Sequence, residues 1–223
     1  MIYIAPSLLA ADFSTLATEI KKVEQAGAQY LHLDIMDGAF VPNLSFGPEL
    51  IASIRKCTNM IFDVHLMIKR PERYIDRFVK AGADIITVHY EACENPMSVV
   101  HLIHSYEMKA AIAVSPKTPV EHLFPLIEHI DMALIMTVEP GFGGQSMIPE
   151  TLDKVSILRK YASERGINLD IEVDGGINAD NVSLVTSAGA NVIVAGSAIF
   201  KAKKPRAVIS SMKNSAVQNP FVR

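Results

Sequence analysis

The chain shows short β-rich hydrophobic runs that alternate with longer amphipathic stretches. Helix start signals stand between the runs, with Asp12 ahead of FSTLATEIKKVEQAG, Pro71 ahead of ERYIDRFVKAG and Pro149 ahead of ETLDKVSILRKYASERG. Strict alternation of strand and helix predicts right-handed crossovers and therefore a parallel sheet. The runs predict eight strands, at Ile2–Leu9, Tyr30–Asp34, Met60–His65, Asp84–His89, Lys109–Val114, Met132–Val138, Leu169–Asp174 and Asn191–Ala195.

An internal repeat supports this pattern. QAGAQYLHLDIM, KAGADIITVHYE and SAGANVIVAGSA each combine a helix end, an Ala-Gly pair and a β-rich run. Their glycines, Gly27, Gly82 and Gly189, are spaced by close to two and four units of about 27 residues, the size of a compact βα unit. We therefore expect an α/β fold, a single-domain (β/α)8 TIM barrel over residues 1–223 with a parallel, closed eight-stranded sheet. An open doubly wound sheet is disfavoured, because PSLLAADF stands where its G-x-G-x-x-G fingerprint belongs.

Composition narrows the class of partner. The chain has 223 residues, of which 49% are hydrophobic, and a net charge of −3. A large buried core is expected, and neither nucleic acid nor an anionic membrane is expected as the main partner. No apolar run is long enough to predict a membrane span. Cys57 and Cys93 form no metal-type pair, and no signal-like segment precedes the first strand, so we expect a cytoplasmic location and a small-molecule or protein partner.

Ionisable residues occupy the predicted strand ends. In YLHLDIM, His32 and Asp34 point to one side and the leucines to the other, where the helices pack. DVHLM repeats the arrangement with Asp63 and His65, and IEVDGG ends its strand with Asp174. We expect these groups to face the lumen near the C-terminal mouth of the barrel, where barrel enzymes place their chemistry. Asp63 lies one layer deeper and is expected to be a buried structural carboxylate or one that orients a ligand.

Two histidines and two aspartates at one mouth predict a cation site. Neutral imidazole and carboxylate suit a divalent ion such as zinc, iron(II), manganese or cobalt, with open positions for substrate or water. The ligand types do not select among these metals. Each residue alone is better explained as a hydrogen-bonded polar group, whereas four together favour a site. His89 is equally a pocket group or a hydrogen-bonded core histidine, and Glu139 is expected to be structural.

Three glycine-rich segments predict an anion site. EPGFGGQ, DGGI and AGSAIF follow the sixth, seventh and eighth strands, and they place free backbone N–H groups on adjacent loops. Such loops, with the start of the following helix, bind phosphate in barrels. No basic side chain lies within these motifs, so recognition is expected mainly from backbone dipoles.

Eight motifs together carry a family resemblance. IAPSLLAADF, HLDIMDGAFVPN, FGP, DVHLM, HYEA, MTVEPGFGGQ, EVDGGI and AGSAIF occur in this order over nearly the full length. In order and spacing the sequence resembles the ribulose-phosphate 3-epimerase family. The resemblance implies an isomerase of the pentose phosphate pathway that interconverts D-ribulose 5-phosphate and D-xylulose 5-phosphate. It also implies one divalent metal ion per subunit, usually assigned as zinc, and a homo-oligomer, either a dimer or a hexamer.

The resemblance also assigns roles to residues. Asp34 and Asp174 become the catalytic acid–base pair. The metal ligands become His32, Asp34, His65 and Asp174. The substrate-binding residues become Ser7, His65, Gly141, Phe142, Gly143, Gly144, Asp174, Gly175, Gly176, Ile177, Gly196 and Ser197. Met36, Met67 and Met136 either form an apolar layer over the intermediate or only fill the core.

The implied chemistry explains the carboxylates. Inverting C3 of a 2-ketose removes the proton beside the carbonyl and returns one to the opposite face of an enediolate, so two bases are needed. A metal at the C2 and C3 oxygens would stabilise the negative charge that develops. Ala39, Thr137 and Glu139 depart from residues common in the family, and none is a proposed ligand.

Three other functions stay open. The first is a sibling epimerase acting on a hexulose phosphate such as allulose 6-phosphate. The second is a phosphate-binding barrel with decarboxylation or aldol chemistry. Such barrels generally place a lysine at a strand end, and Lys109 lies at the wrong end of its strand. The third is a non-catalytic binding barrel, which would have no need for two opposed carboxylates.

Overall fold

The computed structural model describes residues 1–216. Its strands are β1 Tyr3–Pro6, β2 Tyr30–Met36, β3 Ile61–Met67, β4 Ile85–His89, β5 Lys109–Val114, β6 Met132–Met136, β7 Asp170–Asp174 and β8 Val192–Ala195. They are parallel and lie side by side in the order β1, β8, β7, β6, β5, β4, β3, β2. A parallel bridge between Ser7 and His32 joins the region just beyond β1 to β2, so the barrel is nearly closed. This confirms the predicted TIM barrel.

Helices occupy most of the predicted crossovers, and one crossover differs. The segment between β5 and β6 forms a short 3-10 helix, Val120–Leu123, in place of an α-helix. Pro116, Pro119 and Pro125 surround it, and proline removes backbone donors and clashes with a continuing α-helix. The α-helices are α1 Leu16–Gln25, α2 Pro48–Arg55, α3 Ile75–Ala81, α4 Pro96–Ser105, α5 Thr151–Glu164, α6 Val182–Ala188, α7 Ser197–Phe200 and α8 Pro205–Ser215.

The predicted helix starts are displaced by short 3-10 turns. The Asp12 side chain accepts the Ser14 N–H and caps a 3-10 turn, and α1 follows directly after that turn. A similar turn begins at Pro71 ahead of α3.

Strand bounds differ from the prediction mainly at the mouth. The first strand is shorter than predicted, because Leu8–Ala10 turns into a 3-10 helix. Strands β2 and β3 are longer and continue to Met36 and Met67, which pair with each other. The polar tail predicted after Met212 continues α8 through Ser215, and residues 217–223 lie outside the described residues.

Two apolar layers position the site. Leu31 and Leu33 of β2 point outwards into the core shared with the helices, as their parity predicts. Tyr30, Ile85 and Met132 belong to a cluster that fills the lower lumen. The lower lumen is therefore largely apolar, and the four predicted ligands lie above this cluster, towards the C-terminal mouth. Within residues 1–216, no helix combines the length and apolar character needed to cross a membrane.

Candidate active site

The strand register brings the four predicted ligands together. Asp34 on β2 pairs with His65 on β3, and Asp174 ends β7. One ligand atom from each of His32, Asp34, His65 and Asp174 lies within 4.8 Å of the others. Residues far apart in sequence thus converge because successive parallel strands end at the same rim.

Asp34 lies at the centre of this cluster. Its Oδ1 lies 3.2 Å from His32 Nε2 and 3.2 Å from His65 Nδ1, and its Oδ2 accepts a 2.6 Å hydrogen bond from Ser7 Oγ. Asp174 Oδ2 lies 3.9 Å from His32 Nε2. Both histidines are fully buried, whereas the Asp174 side chain is 17% exposed. The two carboxylates therefore face the cavity, with the imidazoles behind them.

The tautomer of His32 suits a cation. Its Nδ1 lies 2.6 Å from Asp63 Oδ2, a distance that calls for an Nδ1–H donor to the carboxylate. In the neutral ring, the lone pair of Nε2 then points towards Asp34 and Asp174. Burial alone would lower the pKa of His32, but the charges of Asp34, Asp63 and Glu172 raise it well above its ordinary value, so without a metal a proton occupies this position. The buried Nε2 atom has no hydrogen-bond partner among residues 1–216. An orphaned imidazole nitrogen facing two carboxylates fits a divalent cation, so the residues present match the implied metal.

The cluster separates the pKa values of the two carboxyls that face the cavity. Burial alone would raise the pKa of Asp34, but the neighbouring imidazoles of His32, charged in the absence of a metal, and His65 lower it below its ordinary value. Burial and the negative charge of Asp34 raise the pKa of Asp174 to about 7. At neutral pH the side chains alone therefore hold one ionised carboxylate beside one that exchanges protons readily.

Glu172 is a buried carboxyl that the sequence analysis missed. Its Oε1 lies 3.4 Å from His32 Nδ1, on the Asp63 side of the ring. Burial and the charge of Asp63 raise the pKa of Glu172 well above its ordinary value. Parity was the available signal, since Glu172 stands two positions before Asp174 on β7 and points the same way.

A cavity of about 840 Å³ opens above the cluster at the barrel mouth. Asp34 and Asp174 lie on its wall, and His65 does not. Lys201 lies on the wall as well, one residue beyond the AGSAIF motif, which is why the sequence analysis did not include it. Every other residue predicted to bind substrate lines the cavity, as do Met36, Met67 and Met136.

The glycine loops pack tightly and leave donors free. Gly176 has φ +70°, and a Cβ there would lie 2.3 Å from the Met147 backbone nitrogen, so no side chain fits. Asn43 Nδ2 donates to the Gly141 carbonyl over 2.8 Å and joins the β2 and β6 loops. Among the described residues, the N–H groups of Gly143, Gly144 and Gly176 have no acceptor. These loops can therefore offer several donors to one anion.

His89, which the sequence left open, and Glu139, which was expected to be structural, have identified contacts. His89 is fully buried, and its Nε2 lies 2.9 Å from His65 Nε2, so it is a hydrogen-bonded histidine behind the cavity. Glu139 forms a 3.0 Å salt bridge with Lys117 at the surface.

The fold and the site define a class of protein, the (β/α)8 barrel enzymes. At the C-terminal mouth of this barrel lie a cluster of histidines and aspartates that could hold a cation and glycine-rich loops that could hold a phosphate. A model of the ribulose-phosphate 3-epimerase family matches residues 3–200. The chain therefore belongs to this family of epimerases, as the motifs indicated.

Individual relatives agree with the family match. The chain is 46% identical over 216 residues to the ribulose-phosphate 3-epimerase of Bacillus subtilis, covering 96% of this chain and 100% of that one. It is 48% identical over 221 residues to the Synechocystis sp. enzyme of the same name, covering 98% and 96%.

Solved structures agree on the fold. A 3-hexulose-6-phosphate synthase superposes with a TM-score of 0.68 at 19% identity, covering 97% of this chain and 100% of that one. KGPDC from Streptococcus mutans gives a TM-score of 0.69 at 16% identity, covering 96% of this chain and 97% of that one. At these identities the likeness supports the barrel alone.

Proposed function

We propose that this epimerase inverts C3 of D-ribulose 5-phosphate to give D-xylulose 5-phosphate in the pentose phosphate pathway. The observation that carries the proposal is the pair of carboxyls, Asp34 and Asp174, on the wall of one cavity at the barrel mouth. Epimerisation needs a base on one face of C3 and an acid on the other. A binding barrel has no comparable need for two such groups.

Each carboxyl has a defined part in this reaction. Ser7 fixes Oδ2 of Asp34, so the carboxylate is oriented before substrate enters. Asp34 removes the C3 proton in one direction while Asp174 returns a proton to the opposite face, and the roles exchange in the reverse direction. Met36, Met67 and Met136 line the same cavity and offer an apolar surface that excludes water from the planar intermediate.

His32, Asp34, His65 and Asp174 would hold one divalent metal ion per subunit. When bound, the metal supplies a positive charge that stabilises negative charge on the substrate oxygens. Two imidazoles and two carboxylates suit zinc, and they also suit iron(II), manganese or cobalt.

The phosphate group would lie against the glycine loops and Lys201. The helix α7 after β8 has only four residues, so its dipole adds little. The free N–H groups of Gly143, Gly144 and Gly176 provide neutral donors. Lys201 is the one lysine or arginine among the cavity-lining residues, and no described carboxylate lies within 4.0 Å of its Nζ. Its charge is therefore available to a dianionic phosphate and offsets the repulsion from the aspartates.

Lys201→Met tests this contact. We expect its KM for ribulose 5-phosphate to rise about 10-fold, with kcat changed by less than about twofold, because the phosphate is held alike before and during the reaction. The matched control is Lys203→Met, since Lys203 is exposed in the same basic run but does not line the cavity. Equal effects of the two substitutions would show that the overall positive charge of this segment, and not a direct contact of Lys201 with the phosphate, lowers KM.

The proposed reaction is tested by a coupled assay of ribulose 5-phosphate conversion to xylulose 5-phosphate, with allulose 6-phosphate run in parallel. We expect kcat/KM to favour the pentulose phosphate by at least about 10-fold, since one extra carbon unit changes binding by an amount of this order. Faster turnover of the hexulose phosphate would assign the chain to the sibling reaction. No turnover of either would reject the proposed reaction.

The proposed setting follows the sequence expectations. We place the enzyme in the cytoplasm as a homo-oligomer, either a dimer or a hexamer, with a sugar phosphate as partner and no nucleic acid. One relative is named a cytoplasmic isoform, from Oryza sativa subsp. japonica, and another is named chloroplastic, from Arabidopsis thaliana. Sedimentation of the purified protein would distinguish the two oligomers.

A further inference from the structure

A line of hydrogen-bonding side chains leads away from the cation-type cluster into the barrel wall. Asp34 Oδ1 lies 3.2 Å from His65 Nδ1, and His65 Nε2 lies 2.9 Å from His89 Nε2. His89 Nδ1 then lies 3.2 Å from Glu91 Oε2. The planes of the two imidazoles are inclined by 26° with centroids 5.0 Å apart, and the short distance between their Nε2 atoms is that of an N–H···N bond.

The far end of this line is fixed by a backbone donor that cannot become an acceptor. Glu91 Oε1 accepts the Ser115 N–H over 2.8 Å and the Thr118 hydroxyl. Burial alone would raise the pKa of Glu91, but the hydrogen bonds from His89, Thr118 and Ser115 lower it to about 2. An ionised carboxylate only accepts hydrogen bonds, so the proton between Glu91 and His89 belongs to His89 Nδ1.

The ionised Glu91 determines which nitrogen donates in each of the following hydrogen bonds. His89 is fully buried beside a second imidazole, which favours the neutral ring. A neutral imidazole with Nδ1–H has a lone pair on Nε2. The 2.9 Å contact then requires His65 to donate from its own Nε2. His65 Nδ1 is left with a lone pair that faces Asp34 Oδ1, and two opposed acceptors need a cation between them.

We propose that Glu91, acting through His89, is a positioning residue that sets the tautomer of His65 so that Nδ1 is free to bind the metal. Asp63 does the same for His32 in a single step. The inference rests on the proposed metal site, and it adds that a carboxylate two side chains away from the metal orients one of its ligands. Partners that orient metal-binding histidines typically change metal affinity 10- to 100-fold when removed.

Glu91→Gln tests the proposal with little change in side-chain size. The Ser115 N–H cannot become an acceptor, so the carbonyl of the introduced amide must stay with it and the amide NH₂ group must face His89. His89 would then carry its proton on Nε2, and His65 would carry its proton on Nδ1, where the metal should bind. We expect zinc affinity, measured by competition with a chromophoric chelator, to fall about 10- to 100-fold.

The tautomer of His89 provides a readout that a purely structural role would not change. Two-bond proton–nitrogen NMR on the metal-free protein distinguishes Nδ1–H from Nε2–H. We expect Nδ1–H in the wild type and Nε2–H in Glu91→Gln. Nε2–H in the wild type, or wild-type zinc affinity in a folded Glu91→Gln protein, would overturn the proposal.

Thr118→Val is the matched control. It removes a hydrogen bond to Glu91 Oε1 but leaves Oε2 on His89, so zinc affinity should stay within about twofold of the wild type, well below the loss expected from reversing the line. An affinity loss as large as that of Glu91→Gln would mean that packing around Glu91 matters and its orientation of His89 does not. Failure of the wild type to bind zinc would reject the proposed metal site. The tautomer of His89 would still show whether Glu91 sets the direction of the hydrogen bonds from His89 to His65.

Discussion

Asp34→Asn and Asp174→Asn are each expected to lower kcat for epimerisation by about 10³-fold, because each removes the acid or base on one face of C3. The reaction needs both groups, so neither should compensate for the other. In the protein without a metal, the pKa of Asp34 is lowered and that of Asp174 is raised to about 7. Asparagine keeps the shape and removes proton transfer.

Proton exchange at C3 separates catalysis from a general loss of the site. In heavy water, a protein with one remaining base can still exchange the C3 proton of the epimer that presents its proton to that base. We therefore expect each variant to exchange deuterium into one epimer only, with the two variants selecting opposite epimers. Metal content should be measured in the same samples, because both aspartates are also proposed ligands.

A surface carboxylate provides the control for this experiment. Glu139 lies near the mouth but pairs with Lys117, and Glu139→Gln should change kcat by less than about twofold, as expected for a carboxylate with no proton to transfer. Deuterium exchange into both epimers by either aspartate variant would contradict the two-base assignment. Equal loss of activity in Glu139→Gln would mean that charge at the mouth, and not proton transfer, accounts for the effect.

Periodicity predicted most of the fold, and local chemistry explains where it failed. The alternation in YLHLDIM placed Leu31 outside and His32 inside, as the structure has them, because a strand has a strict period of two. The strict strand and helix alternation failed after β5, since the prolines around Val120–Leu123 leave only a 3-10 turn. The hydrophobic residues Val120 and Leu123 of that segment are still buried, as a crossover helix would require.

The alternation of residues along each strand predicted which side chains of the candidate site face the lumen. Residues on one strand face, such as Asp34, could be placed from the sequence because each points the same way at a strand end. The line from His65 through His89 to Glu91 could not, because it depends on how far two neighbouring strands are offset and on which nitrogen carries a proton. Lys201 was missed for a different reason, since its contact with the cavity depends on the course of the chain after the short α7.

Removal of metal is expected to lower kcat/KM by about 10³-fold, and zinc or cobalt(II) should restore it, because a Lewis acid contributes several kcal/mol to the stabilisation of developing negative charge. His32 Nε2 is buried without a hydrogen-bond partner among the described residues, and it faces Asp34 and Asp174. Without a metal, a proton on His32 must offset both carboxylates, and we expect the cluster to be less stable than with a divalent cation.

Thermal unfolding gives a second readout that does not depend on turnover. Metal at 100 times its dissociation constant should stabilise the folded protein by about 2.7 kcal/mol, so the stripped protein should melt at a lower temperature and recover on addition of zinc. His32→Gln removes one ligand and should lose most of this response, whereas the exposed His104, which pairs with Asp131 on the outer surface, should not matter when changed to Gln. Full activity of the stripped protein would reject the metal's role and leave Asp34 and Asp174 as the whole catalytic apparatus. Stabilisation by zinc without any change in activity would instead make the ion structural.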